Sequence, residues 1–229
     1  MGRLPRLLVP RLGVVMLVEA CGGQARPLKS PPPPVASAAE AKPRVDPALE
    51  AQLQRATWLF PATDCPADVA APTEQLTTYL AAACNPNLQA CLDRCQKMEA
   101  NACYAAALRL QQLKVDERYS EACFLRACRL GSRSGCTNRA AGIMMFEGDR
   151  EGALTCAART FELMCRSNDP WACSMLGMSL ANGLGVTQDL RRALEVLPKG
   201  CLLSTDDPAC VAAQRLIKEV EAALANGSQ

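Results

Sequence analysis

A helix–turn–helix is predicted for residues 171–193, which read WACSMLGMSLANGLGVTQDLRRA. Gly183 and Gly185 stand between two apolar stretches, and glycine adopts the positive φ that a tight turn between helices requires. Gly177 and Ala193 carry almost no side chain, so the two helices can approach each other closely. The stretch therefore predicts a tightly packed pair of helices.

The same alternation of helix signals and breakers continues in both directions along the chain. Asp46, Asp116 and Asp189 each precede a helical stretch and are typical N-caps, while Gly131 is typical of a helix end. No stretch alternates apolar and polar residues as a half-buried strand does, so the predicted class is all-α. Helices are predicted over residues 47–60, 73–84, 87–98, 102–112, 117–130, 135–146, 150–166, 171–182, 189–200 and 208–225. Pro198 is expected to shorten the ninth of these helices because it has no amide hydrogen to donate.

The 14 cysteines supply a second repeating signal. Three pairs enclose seven residues and a fourth encloses eight, and their first members recur at intervals of 33, 37 and 36 residues. A fixed period of this length is typical of a helical solenoid, and cysteine at this density indicates disulfides in an exported protein. The predicted bridges, each joining the end of one helix to the start of the next, are Cys95–Cys103, Cys128–Cys136, Cys165–Cys173 and Cys201–Cys210.

Five further cysteines do not follow this spacing: Cys65, Cys84, Cys91, Cys123 and Cys156. Cys84–Cys91 would be an additional local bridge, and Cys123–Cys156 would link neighbouring repeats, but spacing alone does not decide either pairing. Because five is an odd number, at least one of them is free or paired between chains. No metal or cofactor is predicted, since the chain has no His and no C-x-x-C pair of the kind that zinc and iron–sulfur sites favour.

The first residues indicate export. Three arginines precede a short apolar run, LGVVMLV at residues 12–18, which predicts a signal peptide over residues 1–20. Cys21 ends the sequence VEAC, which resembles a bacterial lipobox and predicts that this cysteine is lipidated. Glu19 stands where a small or apolar residue is usual, and ordinary signal cleavage is the alternative.

The rest of the chain divides into three further parts. Residues 21–46 include four consecutive prolines and are predicted to be a disordered tether, since they cannot bury enough apolar surface to fold. Residues 47–83 are predicted to hold N-terminal helices. Residues 84–229 are predicted to form the solenoid, which ends in a capping helix. Without residues 1–20 the chain keeps 22 basic and 22 acidic residues, so nucleic acid is not an expected partner.

The 171–193 stretch resembles one complete Sel-like repeat, a relative of the tetratricopeptide repeat. The matching positions are Leu176, Gly177, Leu180, Gly183, Gly185, Val186, Asp189, Arg192 and Ala193. The cysteine pattern over roughly residues 84–225 resembles that of the Helicobacter cysteine-rich protein family. This resemblance implies an α-solenoid of disulfide-stapled helix-turn-helix repeats, whose concave face holds peptides or proteins.

Catalysis is not expected. A chain without His cannot form a Ser-His-Asp triad, a Cys-His dyad or an H-E-x-x-H zinc site. Members of the cysteine-rich family are described as penicillin-binding or β-lactamase-like, but no Ser here is followed three residues later by Lys, and K-T-G is absent. A disulfide-exchange enzyme would require a low-pKa thiol, usually in C-x-x-C.

The predicted function is therefore binding of a protein or peptide partner in the bacterial envelope. The expected place is the outer membrane, facing the periplasm or the cell surface, with membrane contact through the N-terminal lipid. A structural, self-associating envelope protein is the alternative. Met178, Asn182 and Arg139 are candidate groove residues, with ordinary solvated or core-packing positions as the alternative. The apolar residues 144–146 are predicted to pack in the core, with a contact patch as the alternative.

Overall fold

A computed structural model describes residues 46–60, 62–71, 84 and 87–227, and in these ranges the chain is helical without β-strands. The prediction of an all-α fold is thus confirmed. The predicted signal peptide (1–20), the lipidated Cys21, the tether up to residue 45 and the helix predicted over 73–84, apart from Cys84, lie outside the described residues.

Ten α-helices follow one another in the described ranges. Their bounds are α1 Pro47–Arg55, α2 Pro66–Val69, α3 Leu88–Gln96, α4 Ala100–Gln112, α5 Glu117–Arg129, α6 Arg133–Phe146, α7 Ala153–Arg166, α8 Pro170–Asn182, α9 Leu190–Val196 and α10 Pro208–Gly227. Short 3₁₀ helices cover Thr57–Leu59 and Leu197–Cys201. The second of them begins just before Pro198, which ends the α-helical hydrogen bonding of α9 as expected.

The helix ends are set by local chemistry. Asp46, Asp116 and Asp189 cap α1, α5 and α9, and each carboxylate accepts a hydrogen bond from a backbone amide of the first turn at 2.9–3.0 Å. Gly183 ends α8 at φ +67° and Gly131 follows α5 at φ +93°, backbone conformations that glycine adopts without steric cost. The aspartates and glycines that predicted where these helices begin and end therefore form the caps and turns at those positions in the structure.

Each helix from α3 to α9 packs against the next one along the chain, and α10 packs against α8 and α9. The core is made mainly of Ala, Leu and Cys side chains, with Phe124 and Phe161 as its largest fully buried members. These two phenylalanines lie four residues before Cys128 and Cys165, so they occupy equivalent places in α5 and α7. In these two repeats, one large ring fills the space that small side chains leave.

Six disulfides are present in the described part of the chain. Cys95–Cys103, Cys128–Cys136 and Cys165–Cys173 join the last turn of one helix to the first turn of the next, with Cα–Cα distances of 4.5–4.6 Å. Cys201–Cys210 joins the 3₁₀ helix to α10. These bridges fix three helix–helix junctions of equal geometry, and Cys84–Cys91 closes a further local loop.

The suggested pairing of Cys123 with Cys156 is wrong. Cys156 bonds instead to Cys65, which lies 91 residues earlier in the sequence, and Cys123 is a buried free thiol. Spacing along the chain gave no sign of this bridge because residues around Cys65 reach α7 only through tertiary packing.

The 171–193 stretch forms the helix pair α8–α9 with its glycines at close contacts. Gly177 lies against the Leu197 side chain, and a Cβ added to it would overlap the Leu197 methyl groups. Ala193 is fully buried. Gly183 and Gly185 have φ of +67° and +71°, and Gly185 also touches the backbone of Leu154.

Replacing Gly185 by alanine is expected to lower the free energy of unfolding by about 3 kcal/mol. The positive φ contributes about 1 kcal/mol, and overlap of the new Cβ with the Leu154 carbonyl contributes about 2 kcal/mol. Gly183→Ala is the matched control, because a Cβ there has the same φ penalty but meets its nearest atom at 3.5 Å. Urea unfolding of both oxidised variants, followed by circular dichroism, measures the difference; equal losses would contradict the close contact.

Candidate functional site

One face of α6 and one face of α8 remain uncovered by other helices. Counted from Cys136 and Cys173, the residues at positions −2, +2, +5 and +9 follow the i, i+4, i+7, i+11 spacing of one helix face. We call these eight residues the first-helix surface: Ser134, Asn138, Ala141, Met145, Trp171, Met175, Met178 and Asn182. All but Ala141 are partly or largely exposed, although Met175 and Met178 also pack against the core. The helices α6 and α8 that carry the two stripes are in contact.

The first-helix surface carries no charge. Its amides and hydroxyl can donate and accept hydrogen bonds, and Met145, 43 % exposed, offers a flexible, polarisable side chain. The surface borders α4, where the Tyr104 hydroxyl lies 3.5 Å from Asn138 Nδ2. The eight residues contain no titratable group.

Two of the three predicted groove residues lie on this surface. Met178 and Asn182 are half-buried there. Arg139 is not a groove residue: it is only 3 % exposed and its guanidinium is held inside the fold. In the apolar run 144–146, Met144 is half-buried while Met145 and Phe146 are exposed, which favours a contact patch over core packing at the end of α6.

Arg139 joins α5, α6 and the residues before α2. Its Nη1 donates to Glu121 Oε2 at 3.1 Å, and its Nη2 donates to Glu147 Oε1 and, at 3.2 Å, to the carbonyl of Ala62. Glu147 also accepts from Arg150 at 2.8 Å. Arg139 thus supplies the countercharge for two carboxylates, one of them buried.

Burial is the largest single influence on the pKa of both carboxylates in this network, Glu121 and Glu147. It raises the pKa of Glu121 from 4.5 to about 7, against the opposing charge and hydrogen bond of Arg139. Glu121 Oε1 has no hydrogen-bond partner among the described residues, which adds to the cost of its charged form. Burial raises the pKa of Glu147 as well, but the hydrogen bonds and charges of Arg139 and Arg150 together outweigh it, so this pKa is lowered. The Glu147 carboxylate is more accessible to solvent than that of Glu121.

The free energy of unfolding is expected to fall as the pH rises from about 4.5 to about 7, by up to about 3 kcal/mol from Glu121 alone. The folded chain holds a proton on Glu121 across this window and the unfolded chain does not, so the contribution is complete below 4.5 and lost by about 7. Urea unfolding of wild type and Glu121→Gln at several pH values isolates the effect. A difference between the two proteins that does not change with pH would contradict it.

Among the other reactive groups described, Cys123 is the free thiol, and it is buried. Burial raises the pKa of the Cys123 thiol to about 12, so the nucleophilic thiolate is not formed at neutral pH. The described residues contain no group of three or more Cys, Asp or Glu placed to hold a metal ion. Within the described ranges, no helix has the length and apolar character needed to cross a membrane.

Sequence reasoning missed five residues of the first-helix surface: Ser134, Asn138, Ala141, Trp171 and Met175. These residues could have been found in the sequence, because each lies at a constant offset from a repeating cysteine and such an offset marks the same helix face in each repeat. It also missed the contacts of residues 62–71, which no local pattern indicates.

Comparison of the chain with protein-family profiles, with curated proteins and with solved structures finds no match. The site is therefore interpreted from its own geometry and chemistry.

Proposed function

We propose that this chain is an exported, non-enzymatic repeat protein that binds a protein or peptide partner through the first-helix surface. The observation that carries the proposal is the uncharged stripe shared by α6 and α8, which repeats at fixed offsets from the bridging cysteines. In this proposal the helix pairs are Sel-like repeats of an α-solenoid, and the stripe is the inner face of its curve.

Rigidity of the scaffold supports this function. Covalent bridges hold the junctions between α3 and α4, α5 and α6, and α7 and α8, so each stripe-bearing helix, α6 or α8, is fixed to the helix before it without a partner. A surface that is already ordered loses less conformational entropy on binding. The mixture of amides with Met and Trp side chains suits an extended segment that carries few charges, since amides pair with main-chain groups while Met adapts to apolar side chains.

Six disulfides indicate an oxidising, extracytoplasmic environment. We extend this to a cell-envelope protein that is lipidated on Cys21, attached to the outer membrane and carried on the proline-rich tether. The partner would then be another envelope component. A structural protein that binds only copies of itself is the competing function.

Two exposed side chains of similar size provide the test. Met145 lies on the first-helix surface and is 43 % exposed, while Leu163 lies on α7, outside that surface, and is 37 % exposed. The oxidised chain and the variants Met145→Ser and Leu163→Ser are immobilised and exposed to envelope extracts. Retained proteins are identified and their affinities measured with purified material.

The proposal expects one heterologous partner whose affinity falls about tenfold for Met145→Ser, as for a central apolar contact, and stays unchanged for Leu163→Ser. Retention of that partner by both variants would contradict binding at this surface. If the immobilised protein retains only further copies of itself, the result would favour a structural, self-associating protein.

A further inference from the structure

Residues 62–71, which we call the covering segment, lie across three helices far from them in the sequence. The segment contains α2, which packs against α5, α6 and α7, and Cys65 is bonded to Cys156 of α7. Every other bridge in the described part of the chain spans seven to nine positions, whereas this one spans 91. The covering segment is thus distant in sequence from the three helices on which it packs.

Basic side chains of that surface match acidic side chains of the segment. Arg129 of α5 pairs with Asp64, and Arg159 of α7 pairs with Asp68 at 2.5 Å. The two carboxylates are four residues apart in the segment, while the two arginines come from different helices and are 30 residues apart. Charge complementarity therefore fixes the register of the segment on the surface.

Side chains of α6 and α7 also form hydrogen bonds with the main chain of the covering segment. Thr160 Oγ1 accepts a hydrogen bond from the amide of Ala67 at 3.2 Å, and Arg139 Nη2 donates to the carbonyl of Ala62 at 3.2 Å. We call the residues that make these contacts, Arg129, Arg139, Arg159 and Thr160, the arginine groove. It offers side-chain and main-chain contacts of the kind that hold an acidic peptide.

The non-covalent hold on the segment is modest. Both ion pairs are about half exposed, and exposed pairs of this kind add little affinity. Pro66 is the one residue of the segment that is fully buried. Cys65 is itself partly exposed, unlike the cysteines of the three helix-junction bridges, which are all buried. The bridge that keeps the segment in place is therefore more accessible than these three bridges, as is Cys201–Cys210, in which Cys201 is also partly exposed.

We propose that the arginine groove is a binding site for an acidic peptide segment, occupied in this structure by the chain's own residues 62–71 and opened by reduction of Cys65–Cys156. An external dithiol performs the reduction: one of its thiolates attacks a sulfur of the bridge, which forms a mixed disulfide and releases one cysteine thiolate. The dithiol's second thiolate then attacks the dithiol's own sulfur in the mixed disulfide and releases the other cysteine. Two cysteine thiols form and the dithiol becomes a disulfide. The peptide that then binds carries carboxylates at positions i and i+4.

The experiment uses the full chain with Cys65→Ala and Cys156→Ala, which open the bridge, and Asp64→Asn and Asp68→Asn, which weaken competition from its own segment. The probe is a fluorescein-labelled peptide of residues 62–71 with Cys65→Ala. The matched control peptide carries Asp64→Asn and Asp68→Asn in addition. Fluorescence anisotropy at low ionic strength measures both affinities, because salt screens such pairs.

The opened chain is expected to bind the acidic peptide about tenfold more tightly than the amide peptide, the sum expected from two exposed ion pairs of about 0.7 kcal/mol each. Arg129→Gln with Arg159→Gln in the opened chain should remove this preference. The oxidised wild type should bind neither peptide.

Equal binding of the two peptides, or no binding to the opened chain, would overturn the proposal. If the opened variant loses its helical circular dichroism, the same titration is made on wild-type chain treated briefly with dithiothreitol, after peptide mapping shows that Cys65–Cys156 alone is reduced. Equal binding of the two peptides to the reduced chain, or no binding to it, would again overturn the proposal.

Discussion

Replacing Arg139 by leucine is expected to lower the free energy of unfolding by about 4 kcal/mol at pH 7.5, the cost of leaving a buried carboxylate without its countercharge. Arg139 and Glu121 are 3 % and 8 % exposed, so water cannot take the place of the lost guanidinium. The Ala62 carbonyl would lose its donor as well. Urea unfolding of the oxidised variant measures the loss.

Arg150→Leu is the matched control, because Arg150 pairs with the same Glu147 but is 51 % exposed. Its loss should cost less than about 1 kcal/mol. Glu121→Leu combined with Arg139→Leu should cost less than Arg139→Leu alone, since no unpaired charge stays buried. If Arg139→Leu were as mild as Arg150→Leu, the guanidinium would not be the buried countercharge that the structure shows.

Removing the Cys65–Cys156 bridge by substitution of both cysteines with alanine is expected to lower the free energy of unfolding by about 4 kcal/mol in the chain-entropy treatment. The bridge closes a long loop, since the cysteines are 91 residues apart, although the other disulfides within that loop shorten it. Chemical unfolding of the otherwise oxidised protein gives the value.

Cys165→Ala with Cys173→Ala is the control, because this bridge spans only eight residues and its loss should cost about 2.5 kcal/mol. The long bridge should thus matter more to global stability although it joins no helix to its sequence neighbour. A larger loss for the short bridge would show that native packing, and not restriction of the unfolded chain, dominates the contribution of these disulfides.

Much of the helical fold could be predicted from local signals. N-caps such as Asp116 and Asp189 act within one helical turn, and a turn glycine such as Gly183 acts on its own backbone. The cysteines of the helix junctions are separated by eight residues, short enough for spacing alone to indicate their partners. These features depend on neighbours in the chain.

The parts that could not be predicted depend on distant residues. A charged residue on an amphipathic helix is ordinarily exposed, and Arg139 is buried only because Glu121 arrives from α5 and the Ala62 carbonyl from before α2. The partner of Cys156 was hidden for the same reason. The first-helix surface could be predicted only in part. Its positions follow from the spacing of the repeat, but which of these side chains stay exposed depends on how α6 and α8 pack.

The two kinds of disulfide have opposite consequences for how such a protein changes length in evolution. A bridge between adjacent helix ends travels with its own repeat, so duplication or deletion of a unit leaves every other junction correctly paired. Cys65–Cys156 joins residues on either side of α3 to α6. An inserted unit in that interval would carry Cys156 away from Cys65, and this single bond therefore fixes the number of repeats between them.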